Sequence, residues 1–210
     1  MYKIIDETIK RAESSGNIGH ALVYQCLLTI LRIYPNDQLL EHVSRSITWF
    51  FSSDSRNLNY IGIIGLIELV KRDKKYAAQH QDKVIQCLED PDLTLKTKTL
   101  ELLVKMTNKD NAEAIVDKLM ENLKTLPPDS KVKKELVGNI HHLVNKFSPN
   151  KTWFVRTMNL LFQQGGDLIT PEITNKFIKD VSRKIDKEKF RNSTVKIYKN
   201  ILKKQQNIGD

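Results

Sequence analysis

The chain has 210 residues, 40% of them hydrophobic and 28% charged, which suffices for a packed core and excludes wholesale disorder. Eight Gly and six Pro are few for this length and argue against strand-rich folds, which need turn residues at short intervals. The formal charge of +9 is concentrated in residues 176–204, which hold eleven basic residues against three acidic ones, while the remainder is close to neutral.

In chain order, the start Met1-Tyr2-Lys3-Ile4-Ile5-Asp6-Glu7 places charges where a signal peptide needs an apolar core, so secretory export is not expected. Leu22, Cys26, Leu27, Ile30, Leu31 and Ile33 recur at helical spacing. Pro35-Asn36-Asp37 breaks that helix, and Leu39, Leu40, Val43, Ile47, Phe50 and Phe51 mark the next. Ser52 to Ser55 precede a third stripe of Leu58, Ile61, Leu66 and Leu69. Asp90-Pro91-Asp92 ends a helix near Leu88: Pro91 restrains Asp90 from helical geometry, Pro91 itself suits a first helical turn, and Asp92 can cap the next helix. Further breaks fall at 108–111, 127–130, 148–150 and 165–167, giving about ten helices with short loops. The expected core includes Leu22, Ile30, Leu66, Leu88, Leu103, Ile140 and Phe162.

A repeat underlies the pattern. A shift of 37 positions superposes Leu58 on Leu95, Ile63 on Leu100, Leu66 on Leu103 and Leu69 on Met106, and places small Gly62 on Thr99, where two helices could approach closely. A helix pair per ~37–40 residues is the period of HEAT-like repeats. The expected fold is all-α, a HEAT/armadillo-like helical-repeat superhelix (α-solenoid), with an irregular helical bundle as the alternative. Residues 1–168 form the repeat segment, and 169–210 are basic helices continuing it.

No residue set suggests catalysis, and no enzyme is expected. His20, His42, His80, His141 and His142 are scattered, and adjacent His141 and His142 diverge by about 100° on a helix, so they cannot serve one metal. Neither cysteine belongs to a CxxC pair or a disulfide framework, which suits a reducing compartment, and Cys26 reads as a small core residue. Trp49 and Trp153 read as core anchors, and no phosphate loop is present, so no metal and no cofactor is expected.

The basic end is the one surface feature above background. Ile173, Phe177, Val181 and Ile185 form an apolar stripe that leaves Lys176, Lys179, Arg183 and Lys187 on other faces. In the last helix Phe190, Ile197, Tyr198 and Ile201 are expected to face inward, with Lys196, Lys199 and Lys203 on an outer stripe. Lys176, Lys179, Arg183, Lys196, Lys199 and Lys203 are therefore the candidate surface for anionic lipid headgroups, each Lys contributing on the order of 1 kcal/mol. A solvated helix face is the plainer reading, and a nucleic-acid-binding module using this end is the alternative function. No nucleic acid is expected, because the basic faces carry few aromatics and no reader motif.

Several stretches together resemble one family. Asn17 to Cys26 is similar to the adaptin stretch G-N-A-(I/V)-L-Y-E-C, with Ala21, Tyr24 and Cys26 in register and Gln25 replacing its acidic residue. Asn57-Leu58-Asn59-Tyr60-Ile61-Gly62 resembles the adaptin N-(I/L)-x-Y-(V/M)-(A/G) helix start. Gln79-His80-Gln81, residues 87–92, residues 98–107, residues 153–159 and Gly166-Asp167-Leu168 resemble, within the adaptins, the epsilon large subunits of the fourth adaptor-protein complex. The resemblance covers roughly 17–168. It implies an internal trunk segment of a vesicle-coat large subunit, assembled with a second large, a medium and a small chain. It further implies recruitment by an Arf-type GTPase, in the cytoplasm and peripherally on trans-Golgi or endosomal membranes, for clathrin-independent sorting of membrane proteins. The segment itself would serve as scaffold.

Overall fold

The computed structural model describes residues 2–12, 16–33, 35–128, 130–182, 191, 192, 194–196, 198 and 199. The described residues contain helices and no strand. They divide into two units, 1–106 and 107–210.

Unit 1 consists of α1 (Tyr2–Ala12), α2 (Gly16–Arg32), α3 (Asp37–Phe51), α4 (Arg56–Arg72), α5 (Tyr76–Gln86) and α6 (Leu93–Met106). Each consecutive couple packs as an antiparallel pair, and the pairs stack, with α1, α3 and α5 in one layer and α2, α4 and α6 in the other. This is the HEAT-like repeat expected from the 37-residue shift. Helix α4 lies at its centre, packed on α2, α3 and α6, with Ile63, Leu66 and Leu69 wholly buried. The small residues hold the expected close contacts. A Cβ at Gly62 would stand 2.9 Å from the Phe51 ring, and Thr99 is fully buried with its hydroxyl donating to the Leu95 carbonyl at 2.8 Å.

The breaks read from the sequence are helix starts with side-chain caps. Asn36 accepts from the Leu39 amide at 3.0 Å, and Asp92 from the Leu95 amide at 2.7 Å. Ser130 accepts from Lys133 at 3.1 Å, and Asn150 from Trp153 at 2.8 Å. Asp90-Pro91-Asp92 separates α5 from α6 as expected. Pro91 lies one residue ahead of the cap rather than within the first turn, because Asp92 takes the capping position.

Unit 2 contains α7 (Ala112–Thr125), α8 (Lys131–Phe147), α9 (Lys151–Gly165), a 3₁₀ turn at Gly166–Leu168 and α10 (Pro171–Ser182). Helices α7, α8 and α9 pack on one another. Gly166 takes a left-handed φ of 48° after α9, a conformation that glycine adopts without the steric cost other residues bear. Helix α10 docks through Phe177, whose ring lies 5.1 Å from that of Phe162, edge-on, and 5.9 Å from that of Phe154.

Five of the seven expected core residues are buried: Ile30, Leu66, Leu88, Leu103 and Ile140. Leu22 is not; it is 45% exposed, and the buried stripe of α2 is Val23, Leu27, Ile30 and Leu31. Two helical stripes overlap on α2, and packing against α1, α3 and α4 selects the one that begins a residue later. Phe162 is half-buried, its ring set nearly perpendicular to that of Phe177 on α10. Cys26 is half-buried on the flank of the same stripe rather than in the core. Trp49 and Trp153 are half-buried as well, Trp49 packing against the His20 ring at 4.6 Å.

Candidate interaction surfaces

The titratable groups of the interior fasten helices together. His80 on α5 is buried; its Nε2 lies 3.0 Å from the Ser44 hydroxyl on α3, and burial lowers its pKa, favouring the neutral ring. Ser44 also donates to Gln79 at 3.1 Å, and the Tyr76 hydroxyl donates to Glu41 at 3.1 Å, again joining α5 to α3. Arg72 on α4 donates to the Leu31 carbonyl at the end of α2, at 3.0 Å. Arg56 meets Asp90 at 3.2 Å across the α4 start and the α5–α6 loop. Burial, with Asp90 nearby, pushes the Cys87 thiol up to about 11, and burial also raises that of Cys26, so both are protonated at neutral pH. Among the described residues no cluster of three or more His, Cys, Asp or Glu side chains is placed to hold a metal ion.

Three of the stretches that carried the family resemblance, 57–62, 79–81 and 87–92, supply helix-to-helix contacts or a helix cap. Gly62 faces Phe51, His80 faces Ser44, Asp90 faces Arg56, and Asp92 caps α6. These side chains hold helix to helix or cap a helix. Replacing Asp92 with Ala leaves the first turn of α6 without its side-chain acceptor, and a loss of about 1 kcal/mol in urea unfolding is expected. Asp92→Asn, which keeps an acceptor oxygen, is expected to restore most of it.

The basic candidates are placed in part. Lys176 and Lys179 are exposed on α10, beside its buried Ile173 and Phe177. Lys196 and Lys199 are exposed on helical residues further along. Arg183 and Lys203 lie outside the described residues, as do Lys187, Ile185, Phe190, Ile197 and Ile201. Val181 is half-buried. Tyr198, expected to face inward, is 37% exposed, and Thr194 is buried.

Between α8 and α10 lies a groove that the sequence pattern did not disclose. In unit 1, α4 packs directly on α2 and on α6, whereas two cavities are lined by residues of both α8 and α10. One, of about 340 Å³, is lined by Lys134, Val137, Gly138, His141, Ile173 and Lys176 among others. The second, of about 470 Å³, includes Asn145, Asn150, Phe154, Lys176 and Asp180. Lys176 borders both. Burial, followed by Lys176 and His142, lowers the pKa of His141, against the opposing pull of Asp180 and Glu172. The signal in the sequence was Gly138, a glycine in mid-helix with no turn to explain it.

Stacked helix pairs whose interior polar groups tie helix to helix define a helical-repeat scaffold. The family model described as "Adaptin N terminal region" matches residues 2–207, and the chain belongs to the adaptin family. The match passes Leu168, where the recognised stretches stop, and takes in the basic segment. The chain is similar to the AP-4 complex subunit epsilon-1 of Homo sapiens, 38% identical over 188 residues, or 90% of this chain and 16% of that protein. It is 37% identical over 208 residues to the AP-4 complex subunit epsilon of Arabidopsis thaliana, covering 96% of this chain and 22% of that one. The AP-1 complex subunit gamma of Dictyostelium discoideum is more distant, 26% identical over 182 residues, covering 87% of this chain and 20% of that one. The chain thus spans less than a quarter of the length of these relatives.

Proposed function

We propose that this chain is a trunk segment of an adaptor-complex large subunit of the epsilon kind, acting as scaffold in a vesicle coat that sorts membrane proteins. The observation that carries this reading is the gap between 37–38% identity to epsilon subunits and 26% to a gamma subunit. The placement of polar side chains at helix-to-helix ties is what a scaffold without chemistry of its own requires. Its partners would be a second large chain, a medium chain and a small chain, with recruitment by an Arf-type GTPase to trans-Golgi or endosomal membranes. No helix among the described residues is long and apolar enough to cross a membrane.

Pull-down of the tagged chain from cell extract tests this. The expected result is co-purification of adaptor chains, unchanged by nuclease. Recovery of nuclease-sensitive material in their place would favour the nucleic-acid alternative and overturn the scaffold reading.

A further inference from the structure

We propose that His80 is an acid-released latch between the α3–α4 and α5–α6 helix pairs of unit 1. This goes beyond the scaffold reading and does not depend on it. His80 is 4% exposed where α5 meets α3; its Nε2 lies 3.0 Å from the Ser44 hydroxyl, and the Phe51 ring is 6.0 Å away.

The hydrogen bonds fix where the ring carries its proton. Ser44 has one hydroxyl proton and donates it to the Gln79 side-chain oxygen at 3.1 Å. Its oxygen can then only accept from His80, so the neutral ring holds its proton on Nε2 and leaves Nδ1 bare. A second proton must go to Nδ1, for which no acceptor is placed among the described residues.

No neighbouring charge offsets an imidazolium at this position. On α3, Glu41 is held by the Tyr76 hydroxyl and Arg45 turns to His42. Arg56 and Glu68 on α4 pair with Asp90 and Lys71, and Glu101 on α6 pairs with Lys98 and Lys105. Asp82 and Lys83 on α5 itself are exposed. Burial is therefore the influence that acts on the ring, and it favours the neutral form. Charging the ring in place would strand a cation in the joint.

With α5 closed on α3 the ring resists a proton; opened to water, it takes one up at the ordinary histidine pKa of about 6.5. Acid therefore favours the open form. The latch is unaffected well above that pH and weakens as pH falls through it, by at most about tenfold per pH unit. Tyr76 and Glu41 lie about one turn earlier on the same two helices, so α5 keeps a second tie to α3 when the first is released.

Hydrogen exchange of the full chain at pH 7.5 and 5.5, read by mass spectrometry and divided by the intrinsic rate, tests this. Protection of α5 is expected to fall at least about threefold in acid, and that of α7 in unit 2 to fall less. His80→Gln keeps a side-chain donor for Ser44 but cannot charge, so its α5 should be equally protected at both pH values. No loss in the parent, an equal loss in parent and variant, or an equal loss in α5 and α7 would overturn the proposal. Imidazole nitrogen NMR shifts of the parent at pH 6.5 keep the test decisive if the variant fails to fold. A mainly neutral Nε2–H ring supports the latch, and a ring at least half charged or protonated on Nδ1 alone overturns it.

Discussion

Leu66→Ala is expected to destabilise the chain by about 3–5 kcal/mol, the upper part of the range for deleting a buried leucine. Leu66 is fully buried in α4, which is packed on three sides by α2, α3 and α6. The cost depends on how far neighbours can collapse into the space. Here they are held by close contacts on adjoining turns: a Cβ at Gly62 would meet Phe51 at 2.9 Å, and one at Gly65 would meet Leu27 at 3.1 Å. Little relaxation is available, so the lost contacts add to the lost burial. Urea unfolding followed by circular dichroism should show the midpoint moving down. Leu22→Ala, on the exposed side of α2, should stay within about 0.5 kcal/mol of the parent. A Leu66→Ala midpoint no lower than that of Leu22→Ala would refute the assignment of α4 as the centre of unit 1.

That contrast also marks what the residues alone disclosed. The helices and their order were legible because polar breaks such as Asn36, Asp92, Ser130 and Asn150 are capping residues with their own local hydrogen bonds. The repeat was legible because α4 and α6 occupy equivalent places in successive pairs and bury equivalent positions. The phase of a stripe was less so. Leu22 and Val23 both continue a helical series through Ile30, and the placement of α1, α3 and α4 decides between them. Surfaces were least legible of all. Gly138 and Lys176 are far apart in sequence and border one groove only once α10 has docked on α9 through Phe177.

Charge reversal at Lys196, Lys199 and Lys203 to Glu is expected to reduce binding to phosphatidylserine vesicles by more than about 100-fold. Each Lys near an anionic surface contributes on the order of 1 kcal/mol, and three together about 3 kcal/mol before the added repulsion. Lys196 and Lys199 are exposed, so their replacement removes no core contact. Binding of the parent should require anionic lipid and weaken with salt, because charges act together only over a Debye length of about 8 Å at physiological ionic strength. Flotation of vesicles with and without phosphatidylserine, at low and high salt, measures both. Equal flotation of parent and variant, both folded, would return these lysines to the role of a solvated helix face.

The polar ties of unit 1 bear on how such a stack responds to load. Close-packed apolar contacts such as Gly62 with Phe51 resist sliding by shape. A hydrogen bond adds a directional restraint, because its strength falls steeply with distance and angle. Ser44 with His80, Tyr76 with Glu41, and Arg72 with the Leu31 carbonyl each join one helix pair to the next. Bending the stack strains these joints together with the apolar surfaces between them. A single substitution at one joint would therefore loosen the coupling between two neighbouring pairs without melting either.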